Sequence, residues 1–396
     1  MVKILIADSL SPKAVEMLKA AGHEVRMDPS ITEAGLAKEI SDYAILIVRS
    51  KKVNAEAINA AKALALIIRA GAGVNTIDVA AASAKGVLVC NTPGMNNDAV
   101  AELAFGHIIA CDRHITTNTE HLRKGEWRKK LFLECEGLRD RTLGLVGRGN
   151  IAQSMIRIAK GLQMRVLVWS RRFSPEEAKE LGVEYAASLE EIAKQSDAVS
   201  VHVAYNKKDT HHLINAEFFA HMKPGSIFVN TSRGEVVDTQ AMVAAIHEKK
   251  IKVGLDVFEN EPTAAMGEFP FAELAKECIC CTCHIGASTN QAADRIADET
   301  VRISNHFVQT GEALNCVNVC AVPQADGVMI IRHTGVFGKI IACCESHGAK
   351  FTSIKNTVVE GEKSQIAILR MKADSCFHEE VLAIEGVLGA ACVPLH

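Results

Sequence analysis

Neither sign of charge predominates in this sequence: 44 lysines and arginines face 47 aspartates and glutamates, a formal net charge of −3. That balance excludes a broad basic field for nucleic acid and an acidic interaction tail, so no nucleic-acid partner is expected. Long apolar runs are also missing. None reaches the roughly 20 residues needed to cross a bilayer, and no membrane partner is expected. The opening MVKILIADSLSPKAV runs from a short apolar stretch straight into a polar turn, with no small-residue cleavage site, which argues against a signal segment. The 13 cysteines lack the even spacing of a secreted disulfide framework. They suit free thiols in a reducing compartment, and the expected location is the cytoplasm.

What is present is an alternating rhythm. At 396 residues the chain has room for two or three domains. VKILIAD reads as a buried strand, SPKAVEMLKAAG as a helix opened by Ser11-Pro12 and closed at Gly22, and YAILIV as the next strand. The alternation continues through ALALIIRAGAG and VLVCNTPG. A long helical stretch, roughly 97 to 124, then leads into a second series: RTLGLVGRGN, MRVLVWS, DAVSVHV, GSIFVNTS, KVGLDVF and CICCTCHIG. Two α/β units with parallel sheets and crossover helices are predicted in tandem. Beyond about residue 312 the order becomes strand, helix, strand, strand, helix, strand, the split βαβ pattern of a ferredoxin-like α+β domain.

The turn in GLVGRGNIA carries a physical rationale. Gly147 and Gly149 allow a tight turn and close backbone approach to a pyrophosphate at the positive end of the following helix, with Ala152 at the packing-limited third position. The second strand of the unit then ends at Ser170, where an acid would accept both ribose hydroxyls. Serine removes the repulsion of a 2′-phosphate, and Arg171 and Arg172 offer it planar forks. The cofactor is therefore NAD or NADP, with the residues leaning to NADP.

Three further strand ends gather chemistry. FVNTSRGEVVD carries Arg233, GLDVFENEP carries Asp256, Glu259 and Glu261, and TCHIGAST carries His284. In an open parallel sheet these carboxyl ends share one crevice beside the cofactor. Oxidation of a 2-hydroxy acid needs a base for the hydroxyl proton, a cation for the substrate carboxylate and a hydride acceptor at C2; histidine, arginine and nicotinamide supply them, with a carboxylate to support the imidazole.

Taken in order, IVRS, RAGAGVNTID, CNTPGMNNDAVAELA, GLVGRGNIA, VNTSRGEVVD, GLDVFENEP and HIGAST resemble the D-isomer-specific 2-hydroxyacid dehydrogenases over nearly all of residues 1–312. Within that family the chain is most similar to the branch that oxidises D-3-phosphoglycerate to 3-phosphohydroxypyruvate, the first step of phosphorylated L-serine biosynthesis. The resemblance implies a flavodoxin-like substrate domain from 1–95 and 286–312 around a Rossmann domain of 96–285, both doubly wound, followed by an ACT-like regulatory or oligomerisation domain at 313–396. It implies Arg233, Glu261 and His284 as the catalytic set, Glu261 being the acid directly before proline. It places Asn150 and Ile151 along the pyrophosphate, Val203 and Thr231 near the cofactor, and Asp256 near the nicotinamide carboxamide. Ala72, Gly73 and Val74 would offer N–H groups to the substrate carboxylate, and Arg49 and Arg69 match positions facing a substrate phosphate, with Arg128 or Lys129 as further candidates. It further implies a homodimer or homotetramer, and L-serine as an effector of the ACT-like domain.

Departures from the family pattern bear on these expectations. Ser170 stands for the usual acid, Ala204 and Cys283 stand where proline is usual, and RHTGVFGKI lacks the asparagine-and-proline loop associated with serine capture, so that Arg332 and His333 are altered. Other readings compete. Glyoxylate or hydroxypyruvate could be the substrate. A dinucleotide-sensing binding protein like the C-terminal-binding-protein corepressors would keep the same Arg, Glu and His, although those proteins lack an appended ACT-like domain. The thiols of CICCTCH suit zinc, but alternation along a strand would send Cys281 and Cys283 one way and Cys278, Cys280 and His284 the other, so no metal site is expected and the thiols are predicted to lie buried in a central strand.

Overall fold

The structure, a computed structural model, describes residues 1–262, 266–319, 325–359, 363–372 and 377–394. By its internal contacts the chain divides into two compact units, Met1–Asn315 and Cys316–His396. The first unit holds two parallel sheets. One comprises β1 (Lys3–Ile6), β2 (Glu24–Met27), β3 (Ile45–Val48), β4 (Leu66–Arg69) and β5 (Leu88–Asn91), in the order β2-β1-β3-β4-β5. This is the flavodoxin-like winding. Its inner strands read ILI and ILIV because helices cover both faces of the sheet and leave no side for polar residues.

The second sheet contains β6 (Thr142–Val146), β7 (Arg165–Trp169), β8 (Glu184–Tyr185), β9 (Ala198–Val201), β10 (Ile227–Asn230), β11 (Lys252–Leu255) and β12 (Cys280–Cys281). The order β12-β11-β10-β9-β6-β7-β8 is that of a Rossmann sheet extended by one strand, with its reversal between β6 and β9. Two long helices, Asn97–Arg113 and Asn290–Thr310, complete the unit; the second packs on the Pro12–Ala20 helix, where Lys13 Nζ meets Asp298 at 2.8 Å. No described helix is long and apolar enough to cross a membrane.

Two local expectations are corrected. The single helix expected over 97–124 breaks at His114, whose φ is +51°, into Asn97–Arg113 and Ile115–Arg123. Burial accounts for the break: the first piece places Ala101, Ala104, Phe105, Ile108 and Cys111 in the core, whereas the second buries no residue and has no interior to follow. The run CICCTCH is not a central strand. Only Cys280 and Cys281 pair, at the edge of the sheet, because the chain then turns to bond Asp256. Strict alternation fails there as well. Cys278 and Cys281 hydrogen-bond through their side chains, and this contact, with burial, raises the Cys278 thiol above its ordinary range. Cys283 is exposed. Among the described residues no group of His, Cys, Asp or Glu could hold a metal ion, and the described cysteines are free thiols; Cys320 and Cys376 lie outside the described residues.

The second unit is an antiparallel sheet of β13 (Gly327–His333), β14 (Lys350–Val358), β15 (Gln365–Lys372) and β16 (Val387–Pro394), ordered β14-β15-β13-β16, with helices Phe337–Ser346 and His378–Leu382. This is the ferredoxin-like arrangement. Met329, Ile331, Leu369 and Met371 meet Ile340 and Val381 in its core. His333 is fully buried; its Nδ1 accepts from Gly335 N at 3.1 Å, so Nε2 donates to Asn356 Oδ1 at 3.0 Å.

Candidate active site

The glycine turn sits where β6 meets its neighbours on both sides. Gly147 N donates to Trp169 O at the end of β7, 2.8 Å away, and Gly147 itself has φ +113°. A Cβ built there would lie 2.3 Å from the carbonyl oxygen of His202, just past β9, and 3.2 Å from the side chain of Val203. Only glycine fits that conformation and that space. Gly149 caps the helix Asn150–Gly161 without a side chain, which leaves the first-turn N–H groups of Asn150 and Ile151 available, and Ala152 is fully buried. Thr231, at the end of β10, is buried with an unpartnered Oγ1. A turn that only glycine permits after β6 and an orphaned hydroxyl after β10, two strands along the same sheet, both fit a dinucleotide.

At the end of β7, Ser170 is half-buried and its backbone carbonyl accepts from Phe173 N at 3.1 Å. Arg171 pairs with Asp209 at 3.3 Å. Arg172 is exposed and has no ion-pair partner among the described residues. Arg148, inside the glycine turn, pairs with Glu177 at 3.1 Å.

The acid nearest the imidazole is Glu261. Its Oε1 hydrogen-bonds His284 Nδ1, and its Oε2 accepts from Phe258 N at 3.2 Å. Burial opposes ionisation of Glu261, but the His284 hydrogen bond and charge, the Phe258 N–H and nearby Arg233 outweigh it and hold the carboxyl below its ordinary range. An ionised Glu261 accepts, so Nδ1 carries the proton, and Nε2 is the ring atom left to exchange one. Glu259 is turned elsewhere, to His212 Nε2 at 2.7 Å and to Thr239. Arg233 is held through its backbone: Asn230 Nδ2 donates to Arg233 O at 2.9 Å, and Asn230 Oδ1 accepts from Ser232 N at 3.0 Å.

Asp256 is buried and occupied by the chain itself. It accepts from Thr282 Oγ1 at 2.6 Å, Ile285 N at 2.8 Å and Gly286 N at 2.8 Å, while its carbonyl accepts from His284 N at 2.7 Å. These bonds hold the turn in which His284 takes φ +54°, a conformation that costs a non-glycine residue energy and persists only when its surroundings impose it. His107 extends the network. Thr282 spends its one hydroxyl proton on Asp256, so His107 Nε2 donates to Thr282 Oγ1 at 3.1 Å, and burial holds the His107 pKa below its ordinary value. Nothing in the sequence singles out His107 or Thr282; an alanine-rich helix gives no hint of what its one histidine meets.

Three guanidinium-bearing residues come together across the two sheets. Arg69, at the end of β4, is held below its ordinary pKa by burial and then by the charges of Arg233 and Arg49, and its Nε is buried without a partner. Its head lies over Gly71, where a Cβ would sit 1.7 Å from Nη1. The backbone N–H groups of Arg49, Ser50 and Lys51 converge on Asp8 Oδ2, at 2.7, 3.0 and 2.9 Å, and fix the turn bearing Arg49. Arg233 Nη2 lies 3.7 Å from a Cβ built on Gly73, which places it beside the Ala72–Gly73–Val74 turn. None of Arg49, Arg69 and Arg233 makes an ion pair among the described residues, whereas Arg128 pairs with Glu126 at 3.0 Å and Lys129 lies in an exposed 3-10 turn.

Comparison with known proteins places this geometry. The profile described as the NAD-binding domain of D-isomer-specific 2-hydroxyacid dehydrogenases matches residues 105–286. A hydroxypyruvate reductase from Thermotoga maritima is 38% identical over 301 residues, covering 76% of this chain and 96% of that protein. The chain belongs to the D-isomer-specific 2-hydroxyacid dehydrogenase family. A D-3-phosphoglycerate dehydrogenase from Methanocaldococcus jannaschii is likewise 38% identical over 327 residues, 82% of this chain, but this chain spans only 61% of that relative. The NAD+-bound 3-phosphoglycerate dehydrogenase of Entamoeba histolytica superposes with a TM-score of 0.66 at 27% identity, over 80% of this chain and 98% of that one. The hydroxypyruvate reductase and the D-3-phosphoglycerate dehydrogenase of Methanocaldococcus jannaschii are thus equally similar in identity, and substrate choice within the family turns on the residues of the site.

Proposed function

We propose that this member of the family is a D-3-phosphoglycerate dehydrogenase, interconverting D-3-phosphoglycerate and 3-phosphohydroxypyruvate at the start of phosphorylated L-serine biosynthesis. The observation that carries the reading is the convergence of Arg49, Arg69 and Arg233, none of which makes an ion pair among the described residues. Three guanidiniums gathered without ion-pair partners suit an anionic ligand, and a substrate bearing a carboxylate and a phosphate uses more of them than glyoxylate or hydroxypyruvate, which bears one anion. Arg233, with the N–H groups of Ala72–Val74, orients the carboxylate; Arg69 and Arg49 take the phosphate. His284 Nε2 accepts the C2 hydroxyl proton on oxidation and returns it on reduction, while Glu261 stabilises the imidazolium that forms. A bound nicotinamide supplies the two-electron acceptor at C2.

In this reading 1–95 with 286–312 binds substrate, 96–285 binds the dinucleotide, and 313–396 serves regulation or oligomerisation in a homodimer or homotetramer, with L-serine as effector. The free thiols support a reducing compartment, the cytoplasm. Initial rates with 3-phosphoglycerate, 3-phosphohydroxypyruvate, glyoxylate and hydroxypyruvate against NAD(H) and NADP(H) test it. The phosphorylated pair is expected to give the highest kcat/KM. Preference for glyoxylate or hydroxypyruvate would reassign the substrate, and negligible turnover of all four would favour a dinucleotide-sensing binding protein.

The same reading extends to the cofactor. Ser170, Arg171 and Arg172 support acceptance of NADP(H), so Ser170→Asp is expected to shift kcat/KM preference toward NAD by about tenfold or more through repulsion of the 2′-phosphate. Unchanged selectivity would show that the end of β7 does not meet the ribose.

A further inference from the structure

β7 ends without a carboxylate, and the structure brings one to its loop from another strand. Asp209, in the loop after β9, places Oδ2 3.3 Å from Arg171 Nη1. β9 and β7 flank β6 on its two sides, so this pair joins the loops on either side of the strand that carries the glycine turn. The turn touches both neighbours, through Gly147 N on Trp169 O and the close approach of Gly147 to His202 O.

The loop that presents Asp209 is fastened internally. Thr210 is buried; its hydroxyl accepts from Asn206 N at 2.6 Å and donates to Ala204 O at 2.9 Å. Thr210 N and Asp209 N both donate to Asn206 O, at 2.9 and 3.2 Å, and Lys208 N donates to Asn206 Oδ1 at 2.8 Å. Asp209 therefore stands at a fixed place, although its side chain and that of Arg171 remain partly exposed. The bond from Thr210 to Ala204 also holds the residue that replaces the family's usual proline.

We infer that Asp209 is a cofactor-selecting residue: it supplies from the β9 loop the carboxylate that Ser170 omits, and it restrains the NADP(H) preference that Arg171 and Arg172 would otherwise confer. The inference rests on the reading that a nicotinamide dinucleotide binds at the Gly147–Gly149 turn. A carboxylate at this place engages the fork that a 2′-phosphate would use, and repels the phosphate itself, while a 2′-hydroxyl finds an acceptor. Because the ion pair is partly exposed it is weak, and a phosphate can displace it. Asp209 thus sets a ratio between cofactors and does not forbid either one.

The test measures binding of 2′,5′-ADP and 5′-ADP to the full chain by calorimetry, alongside NADPH and NADH kcat/KM. Asp209→Asn is expected to raise preference for the 2′-phosphorylated nucleotide by about tenfold, Arg171→Ala to lower it, and the double variant to gain nothing over Arg171→Ala. An unchanged preference in Asp209→Asn, or an equal gain when Arg171 is absent, would overturn the inference. If wild-type protein binds neither nucleotide, the dinucleotide reading of the turn falls first and this inference with it.

Discussion

His284→Ala is expected to lower kcat by at least ~10²-fold in both directions, with the dissociation constant of the nicotinamide cofactor little changed. The geometry dictates the split. His284 meets Glu261 through Nδ1, whereas the glycine turn proposed to cradle the dinucleotide, Gly147 to Gly149, follows another strand, β6. Removal of the imidazole therefore withdraws the proton acceptor and leaves the cradle intact. The local backbone should also survive, since the His284 turn is held by main-chain and Thr282 bonds to Asp256 and not by the imidazole. Steady-state rates together with cofactor titration by fluorescence separate the two quantities. A variant with near-normal kcat and weakened cofactor binding would show that the imidazole holds the nucleotide and moves no proton.

Gly147→Ala is expected to destabilise the protein by about 2–4 kcal/mol and to weaken dinucleotide binding at least tenfold. Two costs coincide there. A side chain at φ +113° is strained whatever the space, and the added methyl would sit 2.3 Å from the His202 carbonyl, a backbone atom at the end of β9 that cannot swing aside as a side chain could. Relief would require β6 and β9 to part at the point where the pyrophosphate is expected. Gly149→Ala is the matched control. Gly149 has φ −66°, and nothing lies within 4 Å of its Cβ position, so folding stability should stay within about 1 kcal/mol while close approach of a pyrophosphate is hindered. Urea unfolding and nucleotide titration of both variants give the comparison, and equal destabilisation by the two would refute the steric account of Gly147.

Much of this architecture was legible because periodicity and turn chemistry are local. Uninterrupted apolar runs such as ILIV announced strands covered on both faces, Ser11-Pro12 and Gly22 bounded a helix, and GLVGRGNIA announced the strand, tight glycine turn and helix found at Gly147. What went astray was decided by partners distant in sequence. The helix expected to run to residue 124 stops at His114 because its far end meets no core, and the thiol-rich run became an edge of two residues because Asp256 draws the following chain into a turn. Glu259 and Glu261 are indistinguishable by composition; only the fold turns one to His212 and the other to His284.

Residue order alone determined the succession of strands and helices, the glycine cradle, and the supply of arginine, carboxylate and imidazole at strand ends, since each follows from steric rules acting within a few residues. The tertiary structure decided which of those groups face one another: that the half-buried Arg69 lies near Arg233, that Asp256, Thr282 and His107 hold the histidine turn, and that Asp209 reaches Arg171. Distances between side chains brought together across sheets depend on packing of the whole core, and no window of neighbouring residues contains that information.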